Sequence, residues 1–130
     1  LDNVLLHDEI QPQEIPGLFT QCHIGIVALD PRHKTHNIPG KFIAYLRSGL
    51  PVLARVNQGN DLLALINDNH VGAAVDDASV EALEAAADSL MSLPDRDLKT
   101  WSANAKALWK SHYSAEACVR QVLSSLNRTV

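Results

Sequence analysis

Four short apolar segments, spaced about 20 residues apart, constrain the fold of this chain more than any other feature of its sequence. They are residues 3–7 (NVLLH), 23–29 (HIGIVAL), 51–56 (PVLARV) and 70–75 (HVGAAV). Most of them lack the alternation of apolar and polar residues that marks a strand with one face in water. Continuous apolar strands are typical of parallel sheets that are covered on both faces. The pattern therefore predicts four parallel strands.

Helical patterns lie between these predicted strands. Residues 12–21 predict a short helical segment distorted by Pro16, whereas residues 40–49 and 60–68 place apolar side chains on one helix face. Gly49 is positioned to end the second of these helices. The alternation predicts an α/β fold, a Rossmann-like parallel sheet of about four strands flanked by helices with right-handed crossovers.

After residue 76 the sequence contains helical patterns alone. Residues 79–93 predict one helix, Asp95 can cap the next, and Ser114 can cap the last. The residues that we expect to face inward are Val80, Leu83, Ala87, Leu90 and Met91, then Leu98, Trp101, Ala105, Leu108, Trp109 and His112, then Val119, Val122, Leu123 and Leu126. We expect a single domain over residues 1–130, with a β/α core over 1–94 and C-terminal helices over 95–130 packed on it. Both tryptophans are predicted to pack helices on the sheet, and His112 to be structural.

Composition excludes some classes of function. The chain has 130 residues, of which 46% are apolar, and a formal net charge of −4, which argues against a nucleic-acid partner. Cys22 and Cys118 match no metal or redox spacing, so we expect reduced, partly buried thiols in a cytoplasmic protein. No apolar run approaches the roughly 20 residues that span a bilayer. The chain begins with Leu1 and its one methionine is Met91, which favours a piece of a longer polypeptide.

The loop of residues 30–40 is the most informative candidate site. It would leave the carboxyl end of a strand, which is where open parallel sheets bind ligands. The loops 8–13 and 57–60 would also leave the carboxyl ends of strands. The loop 30–40 and the residue after it carry five basic side chains, Arg32, His33, Lys34, His36 and Lys41, and one acidic residue, Asp30.

Residues 39–41 would form the first turn of the following helix. Its free N–H groups, the positive end of the helix dipole and Lys41 together predict a phosphate site, and Gly40 lets a ligand approach the backbone. A solvated basic loop before a helix that starts at proline is the alternative that spacing leaves open. Neither a Walker pattern nor G-x-G-x-x-G is present. Asp8, Glu9 and Asp30 are interpreted as solvated carboxylates, and no metal site is expected.

Two long stretches resemble a known family. Residues 3–29 (NVLLHDEIQPQEIPGLFTQCHIGIVAL) and 37–66 (NIPGKFIAYLRSGLPVLARVNQGNDLLALI) resemble the donor-binding, C-terminal part of bacterial GT-B glycosyltransferases of the family 4 type. The segment WKSHYSAEACVRQVL (109–123) is similar to the closing segment of that family. The form of residues 37–62 is most similar to surface-polysaccharide enzymes that transfer N-acetylated deoxyamino sugars such as N-acetylfucosamine.

The resemblance implies a retaining sugar transfer from a UDP-linked donor to a lipid-linked saccharide in lipopolysaccharide, O-antigen or capsule biosynthesis. The acceptor would be bound by an N-terminal half that is not in this chain, at the cytoplasmic face of the inner membrane. The piece alone is expected to be inactive. Metal is not required, since Lys41 and the helix dipole would stabilise the departing diphosphate.

Positions in the resemblance also imply binding residues. Glu9 and Ile10 stand where backbone groups meet the uracil. The diphosphate and sugar would lie at Asn37, Ile38, Pro39, Gly40 and Lys41, with His36 and Tyr45 as further binding residues.

Two departures from the family pattern affect these expectations. Many members carry two glutamates eight positions apart, at positions occupied here by His36 and Ala44, so the ribose would be held otherwise, through Tyr45 or backbone, or bound weakly. About two β-α units that precede NVLL in the family are absent, so we expect exposed strand edges and edge-strand pairing between copies.

Four other interpretations remain at this point, one of which is a pure interaction domain. A degenerate, non-catalytic α/β binding module is favoured by Ala44. Half of a sugar-nucleotide 2-epimerase would share the two-lobed architecture. A receiver-like phosphoacceptor module would need Asp30 as its aspartate.

Overall fold

A computed structural model describes residues 2–30, 32 and 37–127 of the chain. In chain order the elements are α1 (Ile15–Phe19), β1 (Gly25–Ala28), α2 (Gly40–Ser48), β2 (Val52–Arg55), α3 (Leu62–Asp68), β3 (Gly72–Val75), α4 (Val80–Met91), α5 (Asp95–Leu108), a π-helical turn (Trp109–Tyr113) and α6 (Ala115–Leu126). None of these helices is long and apolar enough to cross a membrane.

The described strands form one parallel sheet in the order β1-β2-β3. Val27 lies opposite Ala54, and Ala54 lies opposite Ala74. The predicted α/β class with a parallel sheet between helices is confirmed. The number of strands is three and not the four that we predicted.

The missing strand is residues 3–7, which adopt no regular strand. Leu5 and Leu6 are 88% and 91% exposed. An apolar run becomes a strand only where a neighbouring strand pairs with its N–H and C=O groups. No described strand pairs with this segment, so it stays outside the sheet.

The larger hydrophobic cluster lies between one sheet face and the helices α2, α3 and α5. Phe42 and Leu46 of α2 are completely buried in it, together with Val52 of the central strand and Leu62 and Ile66 of α3. Burying side chains of this size contributes about 1.5–3 kcal/mol each. The i, i+4 spacing of Phe42 and Leu46 therefore anchors α2 to the sheet, and Gly49, with φ of 72°, ends that helix as predicted.

A smaller cluster covers the other face of the sheet. Leu90 and Ala86 of α4 pack there against Leu53, with Trp101 of α5 at the border. Because α4 packs on β2 and β3, it leaves the same face of β1 uncovered, and Ile26 is 59% exposed. Helices therefore cover both sides of the sheet, but unevenly.

The C-terminal helices form where the periodicity predicts them, but several faces differ. Ser114 caps α6 by accepting a hydrogen bond from the Ala117 N–H, as predicted. Pro94, and not Asp95, is the N-cap residue of α5.

The apolar side chains that we expected to face inward but that are exposed are Val80, Met91, Val119, Val122, Leu123 and Leu126. The helix α6 packs against the π-helical turn and buries Ala117, so its apolar stripe has no sheet to cover.

The predictions made for single tryptophan, cysteine and histidine residues were right in some cases and wrong in others. Trp101 and Trp109 both pack against hydrophobic clusters, as predicted. Cys22 and Cys118 are free thiols but exposed, so their predicted partial burial is wrong. His112 is also exposed, with Nδ1 2.7 Å from Ser111 Oγ, and it ends no buried stripe.

The ring of Tyr45 lies so close to Gly25, at the start of β1, that it leaves no room for a side chain there. A Cβ added at Gly25 would lie 2.6 Å from that ring, whose other contacts include an edge-on approach to Phe19. We predict that Gly25→Ala lowers the free energy of unfolding by about 1–3 kcal/mol, because the ring must move out of a packed site. Urea denaturation followed by circular dichroism measures the change.

Gly17→Ala is the matched control, since a Cβ there meets nothing within 4 Å. Equal urea midpoints for the two variants would show that Tyr45 does not restrict Gly25.

Candidate functional site

The carboxyl ends of the three strands lie at one edge of the sheet. The segments that leave this edge follow Ala28, Arg55 and Val75. The predicted loop 8–13 does not belong with them, because residues 3–7 form no strand. The predicted loops 30–40 and 57–60 do leave strand ends, as expected for a binding edge in an open α/β sheet.

The loop of residues 57–60 uses its polar groups internally. Asn57 and Asn60 are both buried, and Asn60 Nδ2 donates to Asn57 Oδ1 at 2.9 Å. Asn60 Oδ1 also accepts the Leu62 N–H at the start of α3. Since these groups satisfy one another, the loop supports α3 and offers few side-chain contacts to a ligand.

The amino end of α2 keeps unpaired donors. Pro39 is the N-cap residue, and no side chain caps the helix. The Pro39 carbonyl accepts from Phe42 and Ile43, whereas the N–H groups of Gly40 and Lys41 have no acceptor among the described residues. Two free N–H groups at the positive end of a helix dipole are an arrangement that binds anions.

The side chains around this helix end are open to solvent. Asn37 and Lys41 are exposed, Ile38 is 40% exposed, and a Cβ added at Gly40 would meet nothing within 4 Å. The structure thus brings Asn37, Ile38, Pro39, Gly40 and Lys41 together at one accessible helix terminus. His36, also a predicted binding residue, lies outside the described residues, as do His33 and Lys34.

The described part of the basic loop carries less free charge than its composition suggests. Arg32 pairs with Asp30, with 2.6 Å between Arg32 Nη2 and Asp30 Oδ2. Its Nε also donates to the same carboxylate, and this contact raises the pKa of Arg32 above its ordinary value. Lys41 forms no ion pair within the described ranges, so it is the cation available beside Gly40.

A cavity of about 670 Å³ runs along the face of α2 that does not enter the core. It begins at Gly40 and continues past Ala44 to Arg47, and α1 forms the opposite wall through Ile15 and Phe19. The cavity therefore starts next to the free N–H groups at the amino end of α2.

The far end of the cavity is closed by the π-helical turn and α6. Trp109, Tyr113 and Glu116 line it there. The Arg47 guanidinium carbon lies 5.6 Å from the centre of the Trp109 ring, a cation–π distance. Burial raises the pKa of Tyr113, so its phenol stays protonated near neutral pH.

Tyr45 occupies a different position from the one predicted. Its hydroxyl donates to the Ile26 carbonyl at 3.4 Å, and its ring packs against Phe19. It is absent from the wall of the α2 cavity. Tyr45 is therefore not positioned in this structure to make the predicted contact with a ribose.

The remaining predicted contacts lie on the segment before α1. Glu9 is exposed and Ile10 is half-buried. Two residues after Ile10, Pro12 lines the α2 cavity together with Ile15. Pro12 and Ile15 thus border the same cavity that begins at Gly40, whereas Glu9 and Ile10 do not line it.

Sequence reasoning missed three residues of this region. Arg47 follows Gly40 by seven positions and Ala44 by three, so helical spacing already places these three residues on one face. Trp109 carried no sequence signal for a cavity.

Arg55, the third, ends the central strand, and its Nε is buried with no hydrogen-bond partner among the described residues. Because Arg55 lies within an apolar run, the pattern predicted a strand there and did not mark it as a site residue.

No group of three or more potential metal-ligating side chains occurs among residues 2–30, 32 and 37–127. No family model, curated protein or solved structure matches this chain. The chemistry of the site therefore has to be inferred from the α2 terminus and the cavity beside it.

Both tyrosines of the chain have raised pKa values, in each case mainly because burial disfavours the phenolate. We predict that tyrosinate absorbance appears at a higher pH in the folded chain than in urea. Because the folded-state pKa is raised, the protonated tyrosines favour the folded chain. This contribution to the free energy of unfolding is complete below the unfolded pKa of about 10 and is lost as pH rises through the folded-state pKa. An alkaline absorbance titration, repeated with Tyr113→Phe, measures both transitions.

A folded-state titration that coincides with the titration in urea would contradict this burial.

Proposed function

We propose that this chain binds the nucleotide-sugar donor of a bacterial surface-polysaccharide glycosyltransferase. The observation that carries the proposal is the α2 cavity, which starts at an uncapped helix terminus with free N–H groups and an unpaired lysine. The reaction would move a sugar, an N-acetylated amino sugar, from a UDP-linked donor to a lipid-linked acceptor. The resemblance of residues 3–29 and 37–66 to the family 4 type GT-B enzymes supports the same assignment.

The diphosphate would lie at the amino end of α2. The Gly40 and Lys41 N–H groups would donate to its oxygens, the Lys41 ammonium would pair with its charge, and Gly40 leaves the backbone accessible. These donors stabilise the charge that grows on a leaving diphosphate when the bond to the sugar breaks. Lys41 therefore has the catalytic role in this proposal.

The nucleoside would lie in the cavity along α2. Its volume of about 670 Å³ falls in the range of roughly 300–1,000 Å³ that is common for small-molecule sites. The wall combines apolar side chains from α1 with Arg47 and Trp109, which suit a planar base and an anionic group. Pro12 and Ile15 line the same cavity, and backbone groups of Glu9 and Ile10, which precede them in the chain, would meet the base.

Acceptor binding and any catalytic base belong to a part of the enzyme outside this chain. The complete enzyme would work at the cytoplasmic face of the membrane, and the present chain would bind the donor without turning it over.

A non-catalytic binding module is the second candidate, and Ala44 favours it. Ala44 lies on the cavity wall where family members carry the glutamate that contacts the ribose hydroxyls. A charged acceptor at this position would contribute about 1.5–3 kcal/mol. A chain without it would hold the nucleotide weakly and serve binding alone.

The first prediction concerns Lys41. We expect UDP to bind this chain, and Lys41→Ala to weaken binding at least about tenfold, because a charge-assisted contact with the diphosphate contributes about 1.5–3 kcal/mol. Isothermal titration calorimetry with UDP, pyrophosphate and uridine measures the effect. Pyrophosphate binding should fall with that of UDP, and uridine binding should be unchanged.

Lys99→Ala is the matched control, since Lys99 is an exposed lysine on α5 without an ion pair in the described structure. Gly40→Leu adds a steric test, because a Cβ at Gly40 meets nothing within 4 Å and the longer side chain would fill the space above the helix terminus. If UDP binds all these variants equally, the diphosphate does not lie at α2.

The second prediction concerns Ala44. We expect Ala44→Glu to tighten UDP and uridine binding about tenfold, since the carboxylate would accept from the ribose hydroxyls. In a Trp101→Phe background Trp109 is the one tryptophan left, so quenching of its fluorescence reports ligand in the cavity. Ala44→Gln controls for size.

Unchanged affinity in Ala44→Glu, with quenching retained, would place the ribose away from this wall.

A further inference from the structure

The far end of the α2 cavity holds two charged side chains that do not pair with each other. Arg47 of α2 and Glu116 of α6 both line the cavity, and they are the charged side chains among the described residues that do so. Neither forms an ion pair within the described ranges. The guanidinium can only donate hydrogen bonds and the carboxylate can only accept them, so the cavity offers a ligand one donor group and one acceptor group.

Trp109 restricts the position of the Arg47 guanidinium. The guanidinium carbon lies over the Trp109 ring, 5.6 Å from its centre. A guanidinium that packs on an aromatic face still has its N–H groups in its own plane, where they can donate to another molecule. Arg47 is therefore held at the cavity wall with donors left for a ligand.

The position of Arg47 along α2 matches the order of groups in a nucleoside diphosphate. Gly40, Ala44 and Arg47 line the same cavity in that order. At a rise of about 1.5 Å per residue, Arg47 lies roughly 10 Å along the helix axis from Gly40. With the diphosphate at Gly40 and the ribose beside Ala44, the base comes next to Arg47 and Glu116.

We propose, on the basis of the donor function proposed above, that Arg47 and Glu116 select the base of the nucleotide. They would favour a base in which a carbonyl oxygen stands beside a ring N–H, as in uracil and guanine. They would disfavour cytosine and adenine. Both residues thus determine specificity in the proposed site, separately from the diphosphate contacts at the amino end of α2.

The hydrogen-bonding edge of uracil complements the two charges. Its O4 would accept from the Arg47 guanidinium, and its N3–H would donate to the Glu116 carboxylate. Guanine offers the same pair through O6 and N1–H. In uracil the second carbonyl oxygen, O2, would remain for the backbone groups of Glu9 and Ile10.

Cytosine and adenine reverse both groups of this edge. Their exocyclic amino groups donate, so they would meet the donors of Arg47, and their neighbouring ring nitrogen accepts, so it would meet the acceptor of Glu116. Both contacts are then lost and polar groups are left unpaired, which is the costly kind of mismatch. The hydroxyls of Ser48 and Tyr113 also line the cavity, but a hydroxyl can donate or accept and does not discriminate.

Both charges also occupy positions that suit their helices. Arg47 lies in the last turn of α2 and Glu116 in the first turn of α6, where each charge interacts favourably with the helix dipole. That structural role gives no preference among bases. The base preference of nucleotide binding is therefore the measurement that separates selection from helix stabilisation.

The test is isothermal titration calorimetry of this chain with UDP, GDP, CDP, ADP and pyrophosphate. We expect UDP and GDP to bind at least about tenfold more tightly than CDP and ADP. Equal affinities for the four nucleotides, with pyrophosphate still bound, would overturn base selection and leave the diphosphate site in place. If neither pyrophosphate nor any of the nucleotides binds, both proposals are overturned.

Substitutions by glutamine assign the preference to the two residues. A carboxamide can turn either its oxygen or its N–H₂ toward a base, so we expect the ratio of UDP to CDP affinity to fall at least about fivefold in Glu116→Gln and in Arg47→Gln. The matched controls are Glu81→Gln in the first turn of α4 and Lys106→Gln in the last turn of α5, which remove the same charges from helix ends outside the cavity. A ratio that stays unchanged in Glu116→Gln and Arg47→Gln, or that falls equally in the controls, would overturn the proposal.

Discussion

The anchoring of α2 by Phe42 and Leu46 is the interaction on which the rest of this structure depends. Both side chains are completely buried in the larger cluster with the central strand. Because residues four apart share a helix face, this anchor turns Gly40, Ala44 and Arg47 to the opposite side. The same packing fixes the amino end of α2 at the carboxyl edge of the sheet. A helix that was held less firmly would not present a defined terminus and cavity wall to a ligand.

The second constraint is that a parallel sheet needs cover on both faces and at both edges. One face receives α2, α3 and α5, and the other receives α4 over two of its three strands. Asn67 bonds the backbone of Ala74 at the β3 edge, while the described residues place no strand at the outer edge of β1 and no helix over Ile26, although α2 covers the other face of β1. The two edges of the sheet therefore differ.

Much of the fold could be predicted from periodicity, because its main signals are local. The stripe of α2, its end at Gly49 and the cap at Ser114 are all set by residues within a few positions of one another. The prediction for residues 3–7 was wrong because a strand depends on a pairing partner, and that partner can lie far away in the chain.

The inward face predicted for α6 was wrong for a related reason. Its amphipathic pattern is real, but a pattern states that a face is apolar and not what covers it.

The candidate site, like the fold, could be predicted from the sequence only in part. Pro39, Gly40 and Lys41 could be selected from sequence, because a helix start is a local event with known chemistry. Arg47 could have been added by helical spacing. Trp109 could not, since it joins the cavity from a helix that is 62 positions later in the chain than Arg47. Tyr45 was assigned to the ligand by analogy, and the structure commits its hydroxyl to the backbone of β1.

The sequence by itself determined the α/β class, the helix that begins after Pro39 and the positive charge beside its terminus, because helix starts and apolar periodicity are short-range properties. Tertiary structure alone decided which apolar runs became strands, where the cavity lies and which sheet edge stays open. Those features depend on hydrogen bonds and packing between segments that are distant in the chain. Two contacts form only on folding, that of Asn67 with Ala74 and that of Arg47 with Trp109. No local sequence pattern predicts either of them.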